Sequence, residues 1–364
     1  MSQGVHVADV AIFYPIATVH ANWRNGKEFD EPAQRASDGT FDLAKAVYKG
    51  GIDFDFIDHQ SLCRAEIVDG VVRVSGLEFR VLLLPPMTTI RTEVAEKKIR
   101  AFVAGGGTAV SVGRLPTASP EYGRDDPNIE SLMREIFGID KDEAAPGIRQ
   151  CENERGGKAI FLPDALDSLA QVPSMITDAA VQDVVSSEKG IFHTHQRTGD
   201  TDVYFLFNTV DEARDVSFVF RVCGEPEIWD AFTGQIRVVH RFEREGQTTK
   251  VRLRMEPYEG LLLVFVGDVG RPQLLADNLT IVEDVVPCDG GIEIGGFGAA
   301  GGKARMLVCH EDKNYRAEVA AGEPPEAISL DGLFSFSLEP TMDNRWGDFR
   351  YPPKSEFIGA EARI

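Results

Sequence analysis

The chain has 364 residues and a formal net charge of −20, with 58 Asp and Glu against 38 Lys and Arg. That balance repels a phosphate backbone, and no Lys/Arg stripe offsets it, so nucleic acid is excluded as a partner. An apolar fraction of 43% and a charged fraction of 26% are globular values, and the length suits two or three domains.

Residues 1–150 alternate strand and helix. VADVAIFY (7–14) is a near-continuous apolar run, as a strand buried on both faces requires, and IDFDFI (52–57), RVLLLP (80–85) and TAVSV (108–112) follow. Between them, Phe41, Ala44, Val47 and Tyr48 make a short apolar helical face stopped by Gly50 and Gly51. Ala95, Ile99, Phe102 and Val103 repeat at helical spacing until GGG at 105–107. Ile129, Leu132, Met133, Ile136 and Phe137 do the same, with Asp126 as cap and Pro127 in the first turn. This alternation predicts a doubly wound parallel sheet of flavodoxin-like order.

Residues 151–188 read as a connector with a short helix around 164–171. From 189 to 268 the pattern changes to short alternating runs, IFHTH, VYFLFN, VSFVFRV, IRVVHRF, TKVRLRM and LLLVFVG, with turn residues between them. These predict a small antiparallel β-sandwich, with Trp229 plugging its core or one end. Residues 269–364 carry further strand patterns, LTIVEDVV (279–286), ARMLVCH (304–310), YRAEVA (315–320) and LFSFSLEP (333–340), around a Gly-rich stretch at 290–302. The chain then stops in TMDNRWGDFRYPPKSEFIGAEARI (341–364). A strand without its sheet cannot bury its apolar face, so this last β region is expected to be incomplete.

Several segments together, VAIFYPIATVHANW, GIDFDFIDHQSL, FRVLLLPPMTTI, FVAGGGTAVSVGRLP, PEIWDAFTGQIRVV, MEPYEGLLLVF and EPTMDNRWGDFRYPP with IGAEAR, carry a resemblance over nearly the whole chain. It resembles the non-catalytic C-terminal portion of large bacterial glycosidases similar to the α-L-rhamnosidases of glycoside hydrolase family 106. The resemblance implies a degenerate class I glutamine-amidotransferase-like domain, then a β-sandwich, then a galactose-binding-like jelly roll, all behind a catalytic (β/α)₈ barrel. Such a barrel needs about 250 residues, and residue 1 already stands beside the first predicted strand. The barrel is therefore the expected missing partner, and both ends of the chain are expected to be cut.

Amidotransferase chemistry needs a Cys on a sharp strand–helix turn, activated by His and a carboxylate. The turn after TAVSV holds Gly113, Arg114 and Leu115 instead, and Cys63 has only the nearby His59 to recommend it. Open α/β sheets bind ligands beyond the carboxyl ends of their strands. Tyr14, His20 and Trp23 after the first strand, Asp58 and His59 after the second, and Arg114 after a later one could meet a sugar through ring faces and hydrogen bonds. Trp346, with Asp343, Asn344, Arg345 and Asp348, could do the same, or form a structural corner. Glycoside hydrolysis commonly uses two opposed carboxylates. Asp53 and Asp55 read as a sheet-edge or solvent-facing pair, and Asp125 with Asp126 as helix capping, so no catalytic residue is assigned.

No metal or other cofactor is expected. His193 and His195 share a strand face but lack a third zinc ligand and read as surface histidines. Asp343, Asn344 and Asp348 lack the spacing of a calcium loop, which leaves calcium a weak option. The five cysteines, Cys63, Cys151, Cys223, Cys288 and Cys309, are scattered and odd in number, against a disulfide framework. No apolar stretch approaches 18 residues, so no membrane partner is expected. MSQGVHVADV lacks the basic-then-apolar form of a signal peptide, so the chain as it stands reads as cytoplasmic. The leading expectation is an accessory part of a glycosidase that acts on carbohydrate, L-rhamnosides by resemblance, and is inactive alone. A self-standing carbohydrate-binding or interaction module and an amidotransferase-like enzyme remain the alternatives.

Overall fold

Two short runs open the chain and go to different sheets. β1 (Val5–His6) is an edge strand of one, and β2 (Val10–Phe13), buried throughout, is interior to another. The computed structural model describes residues 4–23, 30–140, 147–163, 166–180, 182–299, 302–320 and 328. Residues 1–323 form one unit and 324–364 a second. LFSFSLEP and the run holding Asp343, Asn344, Arg345, Trp346 and Asp348 lie outside the described residues.

The sheet containing β2 is built from β3 (Phe54–Ile57), then β7 (Val81–Leu84), β8 (Thr108–Val112), β9 (Arg149–Glu152) and β10 (Lys158–Leu162), the labels β4 to β6 falling to a hairpin series described below. Its order is β3-β2-β7-β8-β10-β9, parallel throughout except for β9. Alternate residues feed two cores. Val10, Ile12, Leu83 and Val110 meet α2 (Glu31–Lys49) and α6 (Leu166–Ile176) on one face. Ala11, Phe13, Leu82, Leu84 and Phe161 meet α3 (His59–Arg64), α4 and α5 (Pro127–Phe137) on the other. Helix α4 is wound as a π-helix over Val94–Arg100 and continues as α-helix over Ala101–Ala104. Helix α1 (Ile16–Ala21) leaves the end of β2. Such two-sided burial is why these strands are continuously apolar.

The predicted cap holds at α5, where the Asp126 carboxylate accepts from the Asn128 N–H; Gly138 closes the helix at φ 65°. Helix α2 differs from its expectation. It begins at Glu31, with Pro32 in its first turn, and buries Ala33, Ala36, Thr40, Leu43, Ala44 and Val47. Phe41, read as part of the apolar face, is 47% exposed and meets Phe56 edge-on at 6.0 Å. The segment 151–188, read as a connector, supplies β10, which pairs in parallel with β8, and α6, which covers the sheet. Strands β4 (Glu66–Val68), β5 (Val71–Val74) and β6 (Leu77–Phe79) form an unforeseen antiparallel meander. Its turns are Asp69-Gly70 and Ser75-Gly76, each with φ > 0 at both central residues, the backbone form that suits two-residue hairpins.

The second assembly is a sandwich of β11 (Val184–Ser186), β12 (Ile191–Thr198), β13 (Thr201–Asn208), β14 (Arg214–Phe220), β15 (Glu225–Trp229), β16 (Ile236–Val238), β17 (Phe242–Glu245), β18 (Thr248–Met255) and β19 (Gly260–Val266). One sheet runs β1-β12-β13-β19-β15-β16 and the other β11-β14-β18-β17. Tyr204, Phe218, Phe220 and Phe265 fill the space between them. Trp229 is not the plug: it is 40% exposed at the end of β15, where its Nε1 donates to Glu227 at 2.9 Å. Beyond lie β20 (Gln273–Asp277), β21 (Leu279–Cys288), β22 (Gly291–Ala299), β23 (Lys303–His310) and β24 (Lys313–Ala320), in a sheet β20-β23-β24 and a hairpin β21-β22. Arg241 ties this region back with bonds of 2.8 and 3.1 Å to the buried Asp277 carboxylate.

A charged seam joins the α/β layer to the sandwich. His195, read as a surface residue, is wholly buried, and His193 is 5% exposed. His195 Nε2 lies 2.7 Å from Asp202 Oδ1, and Nδ1 lies 2.9 Å from Asp183 Oδ2. Burial opposes charge on His195, but Asp183 and Asp202 outweigh it and hold the imidazole above its ordinary value. His193 has no such pair, and burial pulls it down. The two histidines thus sit in opposite electrostatic surroundings, and among the described residues no group of three or more His, Cys, Asp or Glu could hold a metal ion. Arg221 reaches Asp9 at 2.7 Å and Asp183 at 3.4 Å. Asp53 and Asp55, read as edge or solvent-facing, both engage His6, at 2.7 and 2.9 Å. No helix among the described residues is long and apolar enough to cross a membrane.

Replacing His195 by Ala leaves Asp183 and Asp202 without their shared cation. The expected loss is about 3–5 kcal/mol, read from urea unfolding. His6 gives a pH test. Burial works against its charge, but Asp53 and then Asp55 push it up from 6.5 to about 10. The resulting stability is complete below pH 6.5 and is lost as pH rises through about 10. The Tm difference between wild type and His6→Gln should shrink steadily over that interval in calorimetry.

Candidate functional site

The carboxyl ends of β2, β3, β7 and β8 open onto one edge of the parallel sheet. The segments that follow them enclose a cleft of about 780 Å³, within the size range of small-molecule sites. Its floor is held by Thr18 of α1, which is fully buried. Thr18 Oγ1 donates to Thr89 O at 3.0 Å and accepts from the N–H groups of Thr88 (3.1 Å) and Thr89 (3.0 Å). The loops after β7 and β8 are then zipped together. Thr117 and Ala118 both donate to Thr88 O, and Ile90 donates to Ala118 O. Asp126 is 3% exposed and accepts from Ser119 Oγ at 2.5 Å, which holds the loop down onto α5.

Of the residues expected here, His20 and Arg114 line the cleft. Tyr14 does not; it is half-buried, and its N–H donates to Ile57 O at 2.9 Å. Trp23 is 52% exposed and also stands outside the lining. His59 lines the wall, while Asp58 caps α3 by accepting from Ser61 N–H at 2.7 Å. Sequence reading missed Arg91 and Arg124 and took Asp125 for helix capping; all three lie further along the same loops and line the cleft. The length of the 113–126 segment before α5 was the available signal, since long structured loops at this edge tend to carry function.

The charged groups in the lining are mostly basic. Arg91, Arg114 and Arg124 stand with His20 and His59 against a single carboxylate, Asp125. Burial first, then the Arg91 charge, pulls His59 below its ordinary value, so it is neutral near pH 7. Two opposed carboxylates, the usual requirement for cleaving a glycosidic bond, are not found in the lining of this cleft. Nor is there an activated thiol. Gly113, at φ 76°, makes the sharp turn after β8 where a nucleophile would sit. Cys63 lies within α3, half-buried against the core, and burial and the Glu93 carboxylate push its thiol up, away from the reactive thiolate.

Residues 2–244 match the profile of glycoside hydrolase family 106, alpha-L-rhamnosidase. The chain belongs to this family. A protein of Formosa agariphila, named provisionally as a beta-glucuronidase, is 24% identical over 272 residues. That match covers 73% of this chain and 20% of the relative, so the chain spans about a fifth of that protein's length. Among solved structures, a rhamnosidase from Novosphingobium sp. PP1Y matches 84% of this chain and 29% of its own, at 19% identity and a TM-score of 0.48. A beta-galactosidase from Bacillus circulans sp. alkalophilus matches 73% of this chain and 42% of its own, at 14% identity and the same TM-score of 0.48.

Thr18→Val in this family 106 chain keeps the side-chain shape and removes one acceptor shared by two backbone N–H groups. Leaving buried donors unsatisfied costs about 1–3 kcal/mol. A lower Tm by calorimetry, with faster amide exchange at Thr88 and Thr89, is the expected result.

Proposed function

We propose that this chain is a non-catalytic portion of a family 106 glycosidase, and that its cleft forms one side of the surface along which the whole enzyme meets carbohydrate. The observation that carries the reading is the joint one: family membership over residues 2–244, and a cleft whose lining holds one carboxylate, Asp125. Family membership supplies the reaction class, with L-rhamnosides as substrates. A cleft lining with a single carboxylate supports the reading that a barrel elsewhere in the parent does the cutting. The strand order β3-β2-β7-β8-β10 is the order of flavodoxin-like sheets. We therefore take the α/β unit as a degenerate amidotransferase-like domain, reaching past residue 150 to about 180, with the sandwich and a jelly-roll-like region after it.

The purified chain should release no product from aryl α-L-rhamnosides. The parent enzyme should hydrolyse them, and lose affinity rather than turnover when His20 and Arg114 are changed to Ala. Turnover by the isolated chain that disappears on a carboxylate substitution within it would overturn the proposal.

A further inference from the structure

Three guanidinium groups in one cleft are unusual in a chain of net charge −20. Several arginines elsewhere are matched to carboxylates, as Arg221 is to Asp9 at 2.7 Å, Arg244 to Asp268 at 2.7 Å and Arg271 to Glu227 at 2.6 Å. In the cleft that matching fails. Arg91 has Glu121 only at 4.0 Å. For Arg114 and Arg124 the described residues provide no carboxylate within that distance. Asp125 is the single acid in the lining, and His20 and His59 add further donors. Like charges gathered around one cavity repel one another, and a bound anion offsets that repulsion.

Guanidinium is also a specific receptor. Its planar fork meets the two oxygens of a carboxylate in parallel hydrogen bonds, which a neutral hydroxyl cannot reproduce. We propose that the cleft takes an acidic sugar, a uronate whose carboxylate is received by Arg114 and Arg124 with Arg91 beside them. This rests on the reading above that the cleft faces carbohydrate, and it adds the class of sugar. The charge on the ligand selects it over its neutral counterpart. The neutral His59 offers a hydrogen bond without adding to the repulsion.

The test is isothermal titration of the purified chain with D-glucuronate, D-glucose and inorganic sulfate in separate arms, at low and raised salt. Glucuronate should bind at least tenfold more tightly than glucose and weaken with salt. R114A/R124A should remove that preference, bringing glucuronate to no more than the affinity the same variant shows for glucose. R114K, which keeps the charge but not the fork, should retain part of it. These arginines are exposed, so circular dichroism of the variants should match wild type. Equal affinity for glucuronate and glucose overturns the assignment of an acidic sugar and leaves the carbohydrate reading standing. Sulfate binding as tightly as glucuronate, with no response to glucose, overturns it in favour of a plain anion site. No binding by any probe overturns both.

Discussion

A seam of buried ion pairs links the sandwich to the α/β layer, and a histidine between two carboxylates anchors its sandwich side. His195 has no exposed surface, and Asp183 and Asp202 flank it on the two sides of the ring. Tyr204 stacks on it with ring centroids 4.0 Å apart. The same Asp183 also receives Arg221, which reaches across to Asp9 at the start of the α/β layer. Taking these charges out of water is costly, and removing one member strands the rest. The arrangement therefore favours one docking of sandwich on sheet over neighbouring ones.

With the docking fixed, the open edge of the parallel sheet becomes a stable platform. The cleft is assembled from loops, yet its floor is tied by one hydroxyl, Thr18, and its walls by backbone bonds between the loops after β7 and β8. That combination sets exposed basic side chains above a pinned backbone. Catalysis needs groups whose proton affinities are tuned to opposite tasks. Here the one thiol near the edge is pushed away from reactivity and the one lining carboxylate has no opposed partner.

Much of the sheet was legible because burial on both faces leaves a plain mark. VAIF, VLLL and TAVSV could hardly be anything else, and Asp126-Pro127 announced α5. The start of α2 was not, because its buried positions there are Ala33, Ala36 and Thr40, small or polar residues that carry little hydrophobic signal. The meander at 66–79 was readable in principle from Asp69-Gly70 and Ser75-Gly76 between β-branched runs. The fate of His195 was hidden for a deeper reason. Asp183 and Asp202 stand on different elements, and only the closed sandwich brings them to one ring. Of the cleft, His20, His59 and Arg114 followed from the rule about strand ends, while Arg91 and Arg124 depended on loop paths that no periodicity encodes.

The placement of β1 has a wider consequence. Val5 and His6 pair with Arg197 and Gln196 of β12, although the entire α/β layer lies between them in sequence. In topological terms the sheet-and-helix layer is an insertion within the sandwich, and the polypeptide enters and leaves it through the same neighbourhood. Closing so long a loop costs entropy, but that cost grows only with the logarithm of its length. The ends of the inserted layer are therefore tethered from both sides, and neither body has a clean boundary at which it could be exchanged for a homologous one without also trading away its neighbour's edge.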